Sequence, residues 1–154
     1  MEKATQSAKE HGRGGCPEET AFLELLHTTD MLSRGVVRVL KAEGVSATQY
    51  NVLRILRGAP EGLPCGEIAS RMITRDPDIT RVLDRLESHG LITRSREVRD
   101  RRTVVARITP GGLKLLARLD KPIQKVHRKQ LGHIGRERLQ ALTDLLQASR
   151  SRVG

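Results

Sequence analysis

The sequence predicts a mainly α-helical fold with one small β-ribbon. Along most of the chain apolar residues recur at spacings of three and four, which is the period of an amphipathic helix. Between residues 91 and 108 the period changes to two and β-branched residues are frequent, which favours two short strands. Phe, Tyr and Trp together contribute two of the 154 residues, so Leu, Ile and Val must fill the core.

The first part of the chain is expected to contain a tail and two helices. Residues 1–17 lack apolar periodicity and are rich in glycine, so we expect a disordered N-terminal tail. A long helical pattern starts at Pro17 and ends at Gly44. Ser46 or Thr48 can cap the second helix, and a short turn is expected at residues 62–64.

The fourth predicted helix carries the clearest signals of its bounds. It follows a brief helix at residues 66–72. Asp76 is expected to be its N-cap, Pro77 its first helical residue, and Gly90 its end. One apolar stripe along it is predicted to face a core, formed by Ile79, Val82, Leu83 and Leu86.

A charged hairpin follows this helix. Residues 91–95 and 103–108 are expected to form a two-stranded antiparallel ribbon, and residues 96–102 its tip. One side of the second strand carries Val104, Ala106 and Ile108.

Two further helices complete the predicted fold. Thr109 and Pro110 start the first of them, which Pro122 is expected to kink or divide. The last helix covers residues 136–149. The residues expected to be buried by the first of these helices are Leu113, Leu116, Leu119 and Ile123.

The net charge of +10 lies in the second half of the chain. Residues 71–109 carry +4 and residues 110–154 carry +7, whereas the first 70 residues carry −1. Such asymmetry is typical of proteins with a polyanionic partner, although it also fits a surface that only keeps the protein soluble. The scarcity of aromatic residues argues against single-strand binding by stacking. No run approaches the about 20 apolar residues of a membrane helix, so a cytoplasmic protein without membrane contact is expected.

The order of short helix, turn, amphipathic helix and basic ribbon is that of a winged helix-turn-helix. Thr80 and Arg81 lie near the start of the fourth helix, where hydroxyl and guanidinium groups can read base edges in the major groove. The ribbon can reach the DNA backbone or the minor groove. The sequence therefore predicts a protein that binds double-stranded DNA. The ribbon's six arginines are Arg94, Arg96, Arg99, Arg101, Arg102 and Arg107.

These segments resemble the MarR family of bacterial transcriptional regulators. The resemblance spans residues 20–150 in the family's order of elements and implies one domain over residues 18–150. Within it, the winged helix-turn-helix would cover about residues 46–109, and dimerisation helices about 18–43 and 110–150. The similar stretches read TQYNVLRIL (48–56), EIASRM (67–72), DITRVLDRLESHGLI (78–92) and RDRRTVVARITPG (99–111).

The resemblance also implies a function. Members of the family are commonly homodimeric repressors of palindromic operators, released from DNA by small, often phenolic ligands or by thiol oxidation. The expected partners are thus an operator, a second copy of the chain and a small-molecule effector. Neither a cofactor nor a metal is implied, and repression against activation stays open.

In the recognition helix and the turn before it, the resemblance implies five contact residues. Thr80 and Arg81 fall in the part that reads bases, while Thr74 and Arg75 fall in the turn, where phosphate contacts are usual. Arg85 is a further candidate. The two helix arginines could instead pair with acidic neighbours on the same helix surface.

In the wing, the family's Asp-x-Arg pattern falls on Asp100 and Arg102. The resemblance implies that the arginine enters the minor groove and that the aspartate steadies the wing by pairing with a nearby basic residue. Arg99 and Arg101 belong to the same tip and are expected to contact DNA. The alternative for these arginines is a solvated hairpin tip.

Two cysteines raise a redox hypothesis. One branch of the family senses hydroperoxides through a cysteine in its first helix, but Cys16 precedes that helix in a glycine-rich stretch. An inert thiol is the favoured interpretation, and Cys65 is expected to pack as a small apolar side chain. The five histidines show no ligand spacing, and neither a nucleophile–base pair nor a phosphate-binding glycine loop indicates an enzyme.

Two alternatives to a ligand-responsive repressor stay open. One is a thiol-based redox-sensing regulator. The other is a basic winged-helix protein with an architectural or interaction role, which would bind random DNA nearly as well as any one palindrome, whereas a regulator would not.

Overall fold

The computed structural model describes residues 15–153. The predicted disordered tail lies outside the described residues except for its last three, of which Pro17 starts the first helix. The mainly helical fold with a small sheet is confirmed. Its elements are α1 (Pro17–Ala42), α2 (Ala47–Arg57), β1 (Leu63–Pro64), α3 (Cys65–Arg71), α4 (Ile79–Ser88), β2 (Ile92–Arg96), β3 (Val104–Ile108), α5 (Pro110–Leu131), a 3-10 turn (Gly132–Ile134) and α6 (Arg136–Arg150).

The chain divides into two compact units, one ending at Gly35 and the other starting at Val36. The described part of the first unit is the first part of α1. Most of its large apolar side chains are exposed, among them Phe22, Leu26 and Met31, while Leu32 is half-buried. This part of the helix therefore has no core of its own.

The second unit has a core of aliphatic side chains, as the composition requires. The last turn of α1, the helices α2 to α5 and all three strands contribute to it. The predicted stripe of α4 is confirmed, because Leu83 and Leu86 are buried and Ile79 and Val82 pack against the same core. The residues that are almost fully buried are Leu40, Val52, Leu53, Leu56, Ile68, Leu83, Leu86, Ile92, Leu116 and Leu119.

The sheet has three antiparallel strands, in the order β1-β3-β2, and not the two that we expected. Leu63 lies opposite Ala106 and Pro64 opposite Val105, so the expected turn at residues 62–64 is wrong in part: it contains an edge strand. Gly62 allows this close approach, because a Cβ there would lie 2.6 Å from Cγ of Arg107, and its φ is +85°. A two-residue strand has no periodicity by which a sequence could reveal it.

The central strand β3 is buried on both faces. Its consecutive residues Val105 and Ala106 point to opposite faces of the sheet and are both buried, whereas Val104 is exposed. The expected apolar side of β3 thus holds for Ala106 and partly for Ile108, and it is wrong for Val104. Val104 pairs with Arg96 at the end of the ribbon, beyond the reach of the core.

The start of α5 is as predicted, and three of its four predicted core residues, Leu116, Leu119 and Ile123, are buried. Thr109 Oγ1 accepts a hydrogen bond from the main-chain N of Gly112 at 3.1 Å, which is the expected N-cap. Leu113 is exposed and Leu115 is buried in its place. Gly112 lies on the same face as Leu115 and packs so closely that a Cβ there would clash with the main-chain O of Leu91 and lie 2.7 Å from Cγ1 of Ile108.

Pro122 does not divide α5, which is one helix from Pro110 to Leu131. A proline inside a helix removes one main-chain donor. Leu119 and Ile123, on either side of Pro122, are both buried, and this packing holds the helix together across it. The break between the last two helices comes instead at the 3-10 turn, where Gly135 has a φ of +88°.

Candidate nucleic-acid interface

The turn between α3 and α4 is held against α2. Asn51 Oδ1 accepts a hydrogen bond from the main-chain N of Ile73 at 2.8 Å, which fixes the beginning of this turn. The helix α2 is itself capped at Ser46, whose Oγ accepts from Gln49 N at 3.1 Å while Gln49 Oε1 accepts from Ser46 N at 3.0 Å. Thr74, in the turn, is exposed.

The recognition helix α4 begins two residues later than predicted. Asp78, and not Asp76, is its N-cap, with Oδ1 accepting from Arg81 N at 3.4 Å. Asp76 Oδ1 accepts from Asp78 N at 2.9 Å and closes a turn that contains Pro77. Both aspartates satisfy the chemistry of a cap, so the sequence alone could not separate them. The shift puts Thr80 and Arg81 in the first turn of the helix.

The outward face of α4 presents two arginines in different states. Arg81 lies 3.6 Å from Asp78 Oδ2, and both side chains are more than half exposed, so this ion pair is weak. The guanidinium group of Arg85 has no hydrogen bond or ion pair within residues 15–153. The predicted alternative of pairing with acidic neighbours thus describes Arg81 in part and does not describe Arg85.

Arg94, in the middle of β2, joins the wing to α4. Its Nη2 lies 2.7 Å from Glu87 Oε2 and 2.6 Å from Asp84 Oδ1, and its Nε lies 2.9 Å from Glu87 Oε2. Its main-chain N donates to Glu87 Oε1 at 2.9 Å. We call Arg94, Glu87 and Asp84 the wing clamp.

The contacts of the wing clamp stabilise the charged forms of both Glu87 and Arg94. Hydrogen bonds from the side chain of Arg94 and then from its main-chain N hold the pKa of Glu87 below its usual value. Glu87 and then Asp84 raise the pKa of Arg94 in turn. Arg94 therefore stays charged, but it is paired with the two carboxylates of α4 and is not free to neutralise a phosphate.

The tip of the wing is built around Asp100. Its Oδ1 accepts from the main-chain N of Arg102 at 3.0 Å and its Oδ2 accepts from Thr103 Oγ1 at 3.0 Å. The main-chain O of Asp100 also accepts from Thr103 N at 3.0 Å. The aspartate thus steadies the wing, but through the main chain and a hydroxyl group and not by pairing with a basic residue.

The other wing arginines fall into two groups. Arg96 donates to the main-chain O of Arg101 at 2.7 Å, and Arg107 donates to Ser95 Oγ at 3.0 Å and lies 3.7 Å from Glu97. The guanidinium groups of the second group make no hydrogen bond or ion pair within the described residues, and we call them the free wing arginines. They are Arg99, Arg101 and Arg102.

Comparison with known proteins decides the family. A model of the MarR family matches residues 45–104. The chain is 31% identical over 125 residues to a transcriptional regulatory protein for the hcr operon of Thauera aromatica, covering 72% of this chain and 75% of that protein. The chain belongs to the MarR family.

Two further similarities agree with this family. The crystal structure of a MarR transcription factor from Planctomyces limnophilus is 37% identical, with a TM-score of 0.67 over 87% of this chain and 97% of that one. The repressor of the homoprotocatechuate degradative operon of Escherichia coli is 28% identical over 109 residues, which are 71% of this chain and 73% of that protein. These relatives are named as regulators of transcription, which is a non-enzymatic role.

In this MarR family member the predicted contact residues are all exposed and lie in three groups. The turn provides Thr74 and Arg75, and the helix provides its outward face. Arg81 and Arg85 line a shared open cavity of about 240 Å³ beside the N-cap of α4. The remaining members are Thr80 in the helix and Arg99, Asp100, Arg101 and Arg102 in the wing.

Sequence reasoning missed two features of the MarR fold in this chain. Asn51 lies on α2, and nothing in its neighbourhood signals that it accepts from a residue 22 positions away. Arg94 is one of the six arginines that make the ribbon basic, and the sequence does not reveal that its side chain is only 23% exposed and binds α4. Its opposite charge to Glu87 was a signal, but the register between helix and strand is needed to pair them.

The cysteines stand in different places. Cys16 is exposed just before α1, and Cys65 is half-buried at the start of α3, where it packs against the core as expected. The main-chain N–H of Glu18 and then a hydrogen bond from the Cys16 thiol lower the pKa of the Glu18 carboxyl group. Within residues 15–153 there is no cluster of three metal-ligating side chains and no helix able to cross a membrane.

Proposed function

We propose that this MarR family member is a homodimeric repressor, which binds a palindromic operator and is released by a small aromatic ligand. The observation that carries the proposal is the group of free wing arginines, three cations without a partner in the described chain, next to a recognition helix with an open polar face. A DNA-binding repressor of this kind acts in the cytoplasm.

The wing supplies affinity in this proposal. Arginines that neutralise phosphates release counterions, which gives strong and salt-dependent binding. A narrow minor groove also attracts an arginine through its negative potential, and we assign this contact to Arg102. Arg99 and Arg101 are assigned to the phosphates beside it. Asp100 acts indirectly, because its hydrogen bonds to Arg102 N and Thr103 Oγ1 set the shape of the tip.

The recognition helix supplies sequence preference. Thr80 and Arg81 lie in the first turn of α4, the part of such a helix that reaches base edges. The weak and exposed pair with Asp78 leaves Arg81 able to exchange that partner for a guanine. Arg85 lies one turn further along and is assigned to DNA as well. Thr74 and Arg75 are assigned to phosphates, which fix the register of the helix.

A homodimer is supported by apolar surface that the single chain leaves in water. Phe22 is 58% and Leu26 is 54% exposed on α1, and Leu145 is 69% exposed on α6. In α6 none of the side chains is fully buried. A palindromic site follows from a dimer, since the two-fold symmetry of the protein is mirrored in the operator.

The ligand class is supported by the relative from Escherichia coli, which is named as the repressor of the homoprotocatechuate degradative operon. Homoprotocatechuate is a small phenolic acid. We propose an effector of the same class for this chain, a small phenolic or other aromatic acid that binds the dimer and lowers its affinity for the operator.

The test is selection of bound sequences from random DNA with the full chain. A palindrome bound more tightly than random DNA by about a thousandfold or more is expected for a specific regulator. Titration of the complex with a panel of aromatic acids should then release the DNA. An architectural protein would bind all sequences about equally, and that result would replace the proposed function.

The redox-sensing alternative is separated in the same assay. Hydrogen peroxide or an organic hydroperoxide should leave operator binding unchanged. Release by peroxide that no aromatic acid reproduces would favour a thiol-based regulator.

A further inference from the structure

We propose that Arg94 is a positioning residue, which holds the wing at a fixed distance from α4 so that the two elements dock on DNA as one rigid body. The inference rests on the proposed function, because it concerns how the chain measures an operator. In this view Arg94 contributes no DNA contact. It fixes the spacing between the base pairs read by the helix and those touched by the wing.

The contacts of the wing clamp fit a positioning role better than a DNA-binding one. Arg94 makes three side-chain hydrogen bonds, at 2.6 to 2.9 Å, to two carboxylates of α4. A guanidinium group is a planar fork, so bonds from two of its nitrogens fix its orientation as well as its distance. Of the six wing arginines, Arg94 alone bonds through its side chain to an element outside the wing within the described chain, whereas Arg96 and Arg107 bond to other residues of the wing.

The main chain takes part in the same contact. Since β2 is an edge strand, one side of it has no neighbouring strand. On that free side the N–H of Arg94 donates to Glu87 Oε1 at 2.9 Å. Glu87 thus covers the sheet edge and receives the arginine fork at once, which ties both the main chain and the side chain of β2 to α4.

Because Arg94 lies beyond the base of the ribbon, its contacts with α4 limit how far the ribbon can tilt about that base. The base of the ribbon is fixed separately, because Leu91 N donates to Leu86 O at 3.0 Å and Thr109 Oγ1 donates to Gly90 O at 2.6 Å. A five-residue strand is about 17 Å long. A tilt of about 10° about the base would therefore displace the tip by about 3 Å, close to the rise of about 3.4 Å per base pair.

This geometry predicts that the chain discriminates operators by spacing. With the clamp intact, Arg102 at the tip and Arg81 on α4 can reach DNA together only at one separation. Without the clamp, a wing that tilts by about 10° can follow its DNA contact when the separation changes by one base pair. Affinity for the best operator then falls modestly, while tolerance of altered spacing rises.

The experiment uses the full chain and its selected operator. Footprints of the parent and of Arg102→Ala locate the base pairs touched by the wing. One base pair is then inserted in each half-site between these and the base pairs read by α4. Binding to both DNA molecules is measured for the parent, for Arg94→Gln and for Arg107→Gln. The last variant is the matched control, because Arg107 lies on β3 and pairs within the wing, so the same charge is removed without touching α4.

The expected results separate positioning from charge. The parent and Arg107→Gln should each lose about tenfold or more on the inserted operator, which corresponds to one or more mismatches. Arg94→Gln should lose less than about threefold on the same DNA. Arg94→Lys, which keeps the charge and can still reach Glu87, should restore part of the discrimination.

A second variant covers the case in which Arg94→Gln does not fold, as judged by circular dichroism. Glu87→Gln keeps an oxygen for the main-chain N–H of Arg94 but removes the charge that holds the fork, and it should relax the spacing in the same direction. If the folded variants keep the parent's full loss on the inserted operator, the positioning role is overturned while the proposed function stands. If the parent selects no preferred sequence at all, the proposed function itself fails.

Discussion

At the scale of single residues, the charge on the outward face of α4 depends on which of its acidic residues form ion pairs with the wing. Composition counts Asp84 as an acidic group on the recognition helix and Arg94 as a basic group on the wing. In the structure the two are joined at 2.6 Å, so each removes the other from the interface. What remains is an outward face carrying Arg85 and a loosely paired Arg81, and a tip carrying the free wing arginines.

The wing and the helix should contribute differently to binding. Arg102→Ala should weaken binding to many sequences, because a groove contact reads width more than base identity, and should make the salt dependence shallower by about one unit of slope. Arg81→Ala should instead relax the preference at one base pair of each half-site, by about 1–3 kcal/mol. The measurement is binding to a panel of single-base operator changes at two salt concentrations.

Both substitutions should keep the fold, since neither side chain belongs to the core. An Arg102→Ala protein that binds the operator as tightly as its parent would show that the tip does not enter the groove. In that case the assignment of the wing residues would have to be abandoned.

The two thiols are expected to be dispensable. Cys16 is exposed just before α1 and Cys65 packs against the core as a half-buried side chain. The double replacement by Ser should therefore leave operator affinity, and its insensitivity to hydroperoxide, unchanged. Loss of DNA binding on mild oxidation of the parent, absent in Cys16→Ser alone, is the result that would establish a redox sensor.

The lowered pKa of Glu87 implies a specific dependence of stability on pH. A carboxyl group with a lowered folded-state pKa stabilises the fold above its ordinary pKa of 4.5 and loses that contribution as the pH falls through the lowered value. The difference in unfolding free energy between the parent and Glu87→Gln should therefore be largest near neutral pH and shrink below the ordinary value. Urea unfolding at a series of pH values measures it, and a difference that stays constant would contradict the prediction.

At the scale of elements, local signals fixed by chemistry were predictable and long-range pairings were not. The N-cap at Thr109 and the apolar stripe of α4 follow from residues within one or two turns of each other. The predicted cap of α4 lies two residues before the observed one, because Asp76 and Asp78 carry the same side chain. Strand β1 was missed because only its partner, some forty residues later, makes it a strand.

The packing of α5 onto the ribbon gives a sharp prediction for two adjacent glycines. In most helices Gly→Ala stabilises by about 1 kcal/mol. At Gly112 a Cβ would lie 2.7 Å from Ile108 Cγ1, so Gly112→Ala should destabilise the fold by about 1–3 kcal/mol. Gly111 is the matched control, because a Cβ there would meet its nearest neighbour, Gly90 O, at 3.4 Å. Gly111→Ala should be neutral or stabilising when both are compared by thermal unfolding.

If the two alanine variants unfold at the same temperature, the close approach of α5 to Leu91 and Ile108 is not as tight as the geometry requires. The same comparison tests why Leu113 is exposed. The helix face that carries Gly112 is the one that packs on the ribbon, and Leu115 and not Leu113 lies on that face.

At the scale of the whole molecule, the sequence predicts which residues form the candidate site better than it predicts which partners they bind. Element order and the arginine-rich ribbon place the candidate interface from the sequence alone. The partners of Arg94, Arg96 and Arg107 depend on strand register and on the distance between helix and strand, which no local pattern encodes. The sequence therefore shows six wing arginines but does not reveal that three of them, Arg94, Arg96 and Arg107, bind other residues of the chain.

The last prediction concerns assembly, which is where the exposed apolar side chains lead. Large apolar patches in water mark interfaces, and an obligate dimer typically buries about 2,000 Å² or more of apolar-rich surface. In α6 Leu142 and Leu145 are exposed and no side chain is fully buried, while α1 exposes several large apolar residues. We therefore expect sedimentation velocity to show a dimer at micromolar concentration. The exposed apolar residues of α1 are Phe22, Leu23, Leu25, Leu26, Met31 and Val37.

A single charge should separate the role of this surface from that of exposed apolar residues in general. Leu145→Asp puts a carboxylate into the proposed interface, where burying it unpaired costs several kcal/mol, about enough to dissociate a dimer at micromolar concentration. Val98→Asp is the control, since Val98 is 98% exposed at the wing tip, far along the chain from α1 and α6. The control should remain a dimer, whereas Leu145→Asp should sediment as a monomer and lose the operator, because one half-site alone binds weakly. A parent that sediments as a folded monomer would remove the basis for a palindromic site.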